Sequence, residues 1–155
     1  MKRWIDLPPV WLGLCLALAW GIGRLLPLPL FGRAGALIGQ ALVGLALLGM
    51  AWAVLEITRA RTTVIPHQQP AALVTTGPFA PSRHPIYLCD VILLLGAILW
   101  LDAPAALPLV PVLALVLSLR FMAPEEARLE AAFGPSYRAW AARVRRLLCP
   151  WGRTV

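Results

Sequence analysis

Charged residues are scarce in this chain, and the scarcity limits what kind of protein it is. Only 14% of the 155 residues are Asp, Glu, Lys or Arg, whereas 60% are hydrophobic and the mean hydropathy is +0.77. A soluble domain carries about 25% charged residues because its surface must be hydrated. The composition therefore argues against a soluble enzyme and against a disordered chain, and it favours a membrane protein.

Histidine and cysteine are also rare. The two histidines are His67 and His84, and the three cysteines, Cys15, Cys89 and Cys149, are widely separated and form no C-x-x-C pair. A disulfide framework needs an even set of cysteines, and a zinc site needs closely spaced ligands. We therefore expect neither a disulfide framework nor a metal site.

Acidic residues are outnumbered by basic ones, 7 to 14, which gives a net charge of +7. A basic balance attracts either nucleic acid or anionic lipid headgroups. In a chain this apolar, it favours a cytoplasmic membrane surface. We expect membrane lipids as partners and no nucleic acid.

The apolar residues run in long blocks. Four such stretches follow one another along the chain, at about residues 4–23, 34–57, 86–101 and 105–122. Crossing a hydrocarbon core of about 30 Å takes about 20 helical residues. The first two stretches are long enough, whereas the third is short and the fourth contains Pro108 and Pro111, which favours tilted or kinked helices. The pattern predicts an all-α polytopic membrane protein with about four transmembrane helices.

The distribution of Lys and Arg predicts the orientation of these helices. With four spans, only Arg24 and Arg33 fall on one side. The other twelve basic residues share the opposite side: Lys2, Arg3, Arg59, Arg61, Arg83, Arg120, Arg128, Arg138, Arg143, Arg145, Arg146 and Arg153. Because cytoplasmic loops carry the excess of basic residues, we expect a multi-pass membrane protein with both termini in the cytoplasm. The short turn around Asp102 then faces outward. The Leu-, Ala- and Arg-rich composition favours a bacterial inner membrane.

Beyond Met122 the sequence becomes amphipathic. Pro124-Glu125-Glu126 opens a helix and Gly134-Pro135 interrupts it. Aromatic and aliphatic residues then follow at steps of four, three, four and three: Phe133, Tyr137, Trp140, Val144 and Leu147. Since Arg138, Arg145 and Arg146 lie off this stripe, we expect a basic helix along the cytosolic membrane surface.

Polar side chains concentrate at the cytoplasmic ends of the spans. The group comprises Glu56, Arg59, Arg83, His84, Asp90, Arg120, Glu125 and Glu126. An ionisable residue inside a span costs about 2.5–3.5 kcal/mol, so Asp90 should face protein or water and have a partner. A packing contact with Arg120 or Arg83 explains it as well as a functional role does.

The segment before the third span has features of an anion site. Pro85 suits the first turn of a helix, and the free N–H groups of that turn, together with Arg83, attract anions. Gly77 allows a ligand to approach the backbone closely. An ordinary proline-capped helix start beside a surface arginine would give the same pattern.

Three ordered motifs carry a family resemblance. They are Leu73-Val74-Thr75-Thr76-Gly77-Pro78-Phe79, Arg83-His84-Pro85-Ile86-Tyr87, and Glu125-Glu126 with Leu129, Phe133-Gly134 and Tyr137. Over about residues 62–150 the chain resembles the superfamily of isoprenylcysteine carboxyl methyltransferases and phospholipid methyltransferases. Cys89 stands where that family usually has Gly, and Phe79 stands where Tyr is common.

The resemblance implies an integral membrane methyltransferase that uses S-adenosylmethionine and a lipophilic acceptor entering from the bilayer. It implies catalytic roles for Arg83 and Glu125. The cofactor-binding residues carried over from the motifs are Gly77, Arg83, His84, Pro85, Tyr87, Glu125, Glu126 and Tyr137. The length of the chain predicts a single membrane domain over residues 1–155, and its first two apolar stretches predict a helical hairpin over residues 1–58. The resemblance implies that residues 59–155 form the cofactor-binding half.

The sequence leaves the acceptor and two rival functions open. A carboxylate acceptor is already ionised and would need only Arg83 or Arg120 to orient it, whereas an amine or phenol needs a base. The candidate bases are Glu125, Glu126, Asp90 and His84. The rival functions are an NADPH-dependent membrane reductase of the sterol-reductase type and a non-catalytic membrane scaffold, for which Cys89 would mark lost activity.

Overall fold

Five α-helices form the part of the chain that the computed structural model describes, residues 7–61 and 72–147. They are α1 (Pro8–Leu25), α2 (Gly32–Arg59), α3 (Pro85–Trp100), α4 (Leu109–Leu117) and α5 (Ala123–Ala141). Short 3-10 turns at Gly77–Phe79 and Pro104–Ala106 precede α3 and α4, and a π-helical turn at Ser118–Met122 joins α4 to α5. No strand occurs in these two segments, so the predicted all-α class is confirmed.

Three of these helical stretches are long and apolar enough to cross a membrane: Pro8–Leu25, Gly32–Arg59 and Pro104–Ala141. The apolar helix Pro85–Trp100 is shorter, as predicted. Large apolar side chains such as Leu45 and Leu48 on α2 are 61% and 71% exposed. Such a surface suits lipid rather than water, and the protein is an integral membrane protein.

The core lies where α3 packs against α1 and α4. Leu94 and Ile98 of α3 and Leu113 and Leu117 of α4 are fully buried together. Pro108 and Pro111 do not break the fourth span, because Pro108 sits at the N-cap of α4 and Pro111 lies in its first turn, where a missing N–H is tolerated. The helix then continues through the π-helical turn into α5 instead of ending at Met122. The apolar part of this stretch still ends at Met122, so the charged helix α5 lies beyond the membrane-spanning segment.

Helices α2 and α3 approach closely through glycines. A Cβ on Gly39 would lie 2.5 Å from the carbonyl oxygen of Gly96 and 2.5 Å from the backbone nitrogen of Trp100. Small residues let the backbones of membrane helices come into contact. Further along α2, a Cβ on Gly49 would lie 2.9 Å from Cys89 Sγ. The unusual cysteine is therefore accommodated by a glycine of the neighbouring helix.

Asp102, in the turn after α3, caps the start of α2. Its carboxylate accepts backbone hydrogen bonds from Leu30 (3.1 Å), Phe31 (2.8 Å) and Gly32 (3.2 Å). These hydrogen bonds, led by that from Phe31, lower the pKa of Asp102. These hydrogen bonds fix the start of α2 to the turn between α3 and α4.

The C-terminal helix is present but shorter than expected. Gly134 has φ 48° and ψ −119°, so the predicted interruption at Gly134-Pro135 is confirmed as a kink within α5. The helix ends at Ala141, and Val144 and Leu147 do not extend its apolar stripe as helix. Arg145 instead forms an isolated parallel bridge with Ser82, which turns the chain back toward the start of α3. Cys149 lies outside the described residues.

Candidate functional site

The loop before α3 is fixed to α2 by a carboxylate. Thr76 donates a side-chain hydrogen bond to Glu56, which projects from α2. Gly77 follows with φ +57°, and a Cβ there would lie 3.1 Å from the Glu56 carboxyl carbon. Glycine is thus required both by the backbone conformation and by the contact. Gly77 serves the packing of the loop against α2 rather than the lining of a cavity.

Glu126 of α5 is the centre of a half-buried charge cluster. Its carboxylate lies 3.2 Å from Arg83 Nη1 and 3.1 Å from His84 Nε2, and it accepts a hydrogen bond of 2.9 Å from Arg146 Nε. A second guanidinium nitrogen of Arg146 also donates to it, which makes that pair bidentate. Burial opposes ionisation of Glu126, but the hydrogen bonds from His84 and Arg146 and the charge of Arg83 outweigh it and lower the pKa from 4.5 to about 2.

Residues 145–147 are here called the C-terminal strap. Hydrogen bonds connect this segment to the residues around the charge cluster. The backbone N–H of Arg83 donates to the carbonyl oxygen of Arg145 at 2.9 Å, and Ser82 Oγ donates to the carbonyl oxygen of Arg146 at 3.3 Å. Arg146 Nη1 also donates to Ser118 Oγ at 3.0 Å, in the π-helical turn. The strap therefore connects the start of α3 to both ends of the α4–α5 junction.

Glu125, the neighbour of Glu126, belongs to a second set of contacts. Tyr87 donates its hydroxyl hydrogen to Glu125 Oε2 at 3.0 Å, and His84 Nδ1 lies 3.8 Å from the same oxygen. The rings of His84 and Tyr87 stack with their centres 5.6 Å apart. His84, which is 4% exposed, thus lies between the two adjacent carboxylates.

A cavity of about 400 Å³ opens beside these residues. One wall is polar and contains Arg83, His84, Tyr87, Asp90 and Glu125. The rest is mainly apolar and comes from the start of α1, from α2 and from the loop: Leu7, Pro8, Pro9, Met50, Ile57, Phe79, Pro85 and Ile86. Small-molecule sites have volumes of about 300–1,000 Å³, mostly apolar walls and a few convergent polar groups. The cavity has this character.

Five of the eight residues predicted for the cofactor site line this cavity: Arg83, His84, Pro85, Tyr87 and Glu125. The other three, Gly77, Glu126 and Tyr137, lie outside its lining. Tyr137 is buried, with its ring edge against Trp140. Burial raises the pKa of the Tyr137 hydroxyl, and the neighbouring Arg83 guanidinium opposes that shift.

Two outcomes differ from what the sequence indicated. Arg146, expected on a surface helix, is instead paired with Glu126, and no periodicity could have revealed this because the pair joins a helix to an irregular segment. Asp90 lines the cavity, and within the described segments it makes no hydrogen bond or ion pair with Arg83 or Arg120. The Arg120 guanidinium lies 5.6 Å from the centre of the Trp11 ring.

Fold and cavity together define a class: an all-α integral membrane protein with a partly polar cavity at one end of its helices. The family model for phospholipid methyltransferase matches residues 35–136, more than half of the chain. The chain therefore belongs to the phospholipid methyltransferase family, within the superfamily of isoprenylcysteine carboxyl methyltransferase-like membrane methyltransferases. The match includes the polar wall of the cavity and ends before the C-terminal strap. No curated protein and no solved structure matches the chain.

Proposed function

We propose that this protein is a membrane methyltransferase that binds S-adenosylmethionine in the cavity and methylates a lipophilic acceptor at the cytosolic membrane boundary. The observation that carries the proposal is the cavity itself, which joins a charged wall, inside the region that matches the family, to an apolar wall. The charged wall suits a zwitterionic cofactor. The apolar wall suits an acceptor with a hydrocarbon chain.

The residues present fit the proposed cofactor. Arg83 lines the cavity, and a guanidinium group is a suitable partner for the methionyl carboxylate. The Glu125 side chain is 43% exposed and accepts from Tyr87, which leaves lone pairs for an ammonium group or a ribose hydroxyl. S-adenosylmethionine would supply the methyl group of its sulfonium for in-line displacement by the acceptor.

The chain's own residues would bind, orient and exclude water. We assign Glu126 and Arg146 to positioning, because their ion pair holds Arg83 and His84 without lining the cavity. Tyr87 orients Glu125 through its hydrogen bond. Met50 and Ile57 of α2 supply apolar surface for the acceptor. Fixing two reactants in a dry cavity is the main contribution that a methyl transfer requires from an enzyme.

We further propose that residues 1–155 act as one membrane domain with both termini in the cytoplasm. Leu7 and Met50, from the N-terminal hairpin, share the cavity with Arg83 and Glu125 from the remainder. Neither half would form the cavity alone. The orientation is supported by the excess of basic residues on the side that carries the cavity.

The test is calorimetric titration of adenosylhomocysteine into the detergent-purified protein and its variants. Arg83→Ala and Glu125→Gln should each weaken binding about tenfold or more, because each removes a hydrogen bond that involves a charged group. Both variants should stay folded, since Glu126 retains Arg146 in the first and the new amide oxygen still accepts from Tyr87 in the second. Glu130→Gln, on the exposed part of the same helix, is the matched control and should bind normally. Wild-type affinity in both site variants would refute the assigned site.

A further inference from the structure

Asp90 is a buried carboxyl group that has no hydrogen-bond or ion-pair partner in the part of the chain that the structure describes. It is 4% exposed, lies in the membrane helix α3 and lines the cavity. Within residues 7–61 and 72–147 it has no hydrogen bond and no ion pair. An uncompensated charge in a span is expensive, and residues of this kind face ligand or ion pathways. Among the described residues, Asp90 does not make the packing contact with Arg83 or Arg120 that the sequence also allowed.

Asp90 lies further along α3 than the other residues that this helix contributes to the polar wall. It follows Pro85 by five residues, which places it about 7.5 Å further along α3 and deeper in the membrane. Tyr87 lies three residues earlier on the same helix face. Asp90 therefore lies deeper in the membrane than Arg83 and Glu125, on the side from which a lipid-soluble acceptor would arrive.

The carboxyl group of Asp90 discriminates between acceptor types. An acceptor that ends in a carboxylate would place a second acidic group against a buried one, and two adjacent carboxyl groups disfavour each other's ionisation. An amine or a hydroxyl instead presents a hydrogen that the carboxylate accepts. A phenol must lose its proton in order to attack, and an amine loses a proton either from its ammonium form before attack or from the methylated product. A carboxylate within reach of the nucleophile is a general base for both.

We propose that Asp90 is the catalytic residue that binds the nucleophile of the acceptor and takes its proton, so that the acceptor is a lipophilic amine or phenol rather than a carboxylate. The inference rests on the function proposed above. The nucleophile's lone pair forms the bond to the methyl carbon while the carbon–sulfur bond breaks and its electron pair stays on sulfur. The proton passes from the nucleophile to the Asp90 carboxylate and later to water.

The experiment compares three long-chain probes that differ in the nucleophile: oleylamine, 4-dodecylphenol and oleate, each in detergent micelles with methyl-labelled S-adenosylmethionine. The wild type should methylate the amine or the phenol and leave oleate unmethylated. Asp90→Asn should lower kcat by about 10²–10⁴-fold, the usual contribution of a general base, without changing the affinity for adenosylhomocysteine. Asp102→Asn, the same substitution at the opposite end of the molecule, is the control and should retain turnover.

Stability distinguishes this role from a structural one. Removing an uncompensated buried carboxylate should raise the thermal midpoint of Asp90→Asn above that of the wild type, whereas loss of a structural contact would lower it. Asp90→Glu, which keeps a base, should recover part of the turnover lost in the Asn variant. A lowered midpoint, turnover within about threefold of wild type in Asp90→Asn, or methylation of oleate at the rate of the other probes would overturn the proposal.

A binding arm separates failure of this inference from failure of the cofactor assignment. Oleylamine titrated into the protein alone should bind at least about tenfold more weakly to Asp90→Asn than to the wild type. If the wild type does not bind adenosylhomocysteine, the proposed function fails whatever the amine does. If adenosylhomocysteine binds but both proteins bind the amine equally, Asp90 is not the acceptor residue and only this inference falls.

Discussion

Replacement of Glu126 by Ala should destabilise the protein more than replacement of any exposed carboxylate. In the native protein this side chain is 14% exposed and compensates Arg83 and Arg146, which are 10% and 16% exposed. Without it, two half-buried guanidinium groups face each other and His84 with no carboxylate between them. Breaking a buried ion pair by removing one partner costs about 3–5 kcal/mol. The cluster joins α3, α5 and the C-terminal strap, so the loss affects the packing of all three.

Thermal unfolding in detergent measures the effect. At about 2–4 °C per kcal/mol for a chain of this length, the expected decrease in Tm is about 6–20 °C. Glu130→Ala on the same helix is the control, because Glu130 pairs with Arg138 at 3.3 Å across an exposed surface. Exposed pairs contribute about 0–1 kcal/mol. A decrease for Glu126→Ala no larger than that for Glu130→Ala would show that the cluster does not hold these elements together.

Three further predictions concern pH, helix packing and capping. The pKa of Glu126 is lowered from 4.5 to about 2 in the folded protein, so its contribution to stability is complete above about pH 5 and is lost as the pH falls toward 2. The Tm of the wild type should therefore fall between pH 5 and pH 2. The Tm of Glu126→Gln should depend less on pH in that window. Gly39→Ala should cost about 1–3 kcal/mol, because its Cβ would lie 2.5 Å from backbone atoms of α3, whereas Gly44→Ala, with no atom within 4 Å, should leave Tm unchanged or slightly raised. Asp102→Asn should lower Tm, because the three N–H groups at the start of α2 lose a charged acceptor; equal Tm values in an unfolding scan would contradict the cap.

Much of the fold could be predicted because the information is local. Long apolar blocks predict membrane helices within a few residues, and Pro85 marks the start of α3. The motif around Arg83 and the acidic pair at Glu125 could also be recognised from short segments. Both contribute to one cavity in the structure, as the resemblance implied.

The remaining features depend on contacts between distant parts of the chain. Asp102 caps a helix that begins about 70 residues earlier, and no local pattern identifies such a partner. Arg146 lies beside an apolar stripe in the sequence, which favours a surface helix. In the structure the helix ends at Ala141, and Arg146 forms an ion pair with Glu126. The glycine opposite Cys89 is equally non-local, since the two residues lie on different helices.

Adjacent carboxylates illustrate the same limit at the site itself. Glu125 and Glu126 are equivalent by sequence, and the resemblance implies cofactor binding for both. In the structure Glu125 lines the cavity, whereas Glu126 is enclosed by Arg83, His84 and Arg146. The difference arises from the direction in which each side chain leaves α5, and it depends on where the C-terminal strap places its arginine.

The central claim is that the cavity binds S-adenosylmethionine. Calorimetric titration of the wild-type protein in detergent with S-adenosylmethionine, adenosylhomocysteine and NADPH tests it most directly. We expect saturable binding of the first two at one site per chain and no heat of binding from NADPH. Binding of NADPH alone would identify a reductase, and absence of binding by all three ligands would contradict the claim and leave a membrane scaffold with the methyltransferase fold.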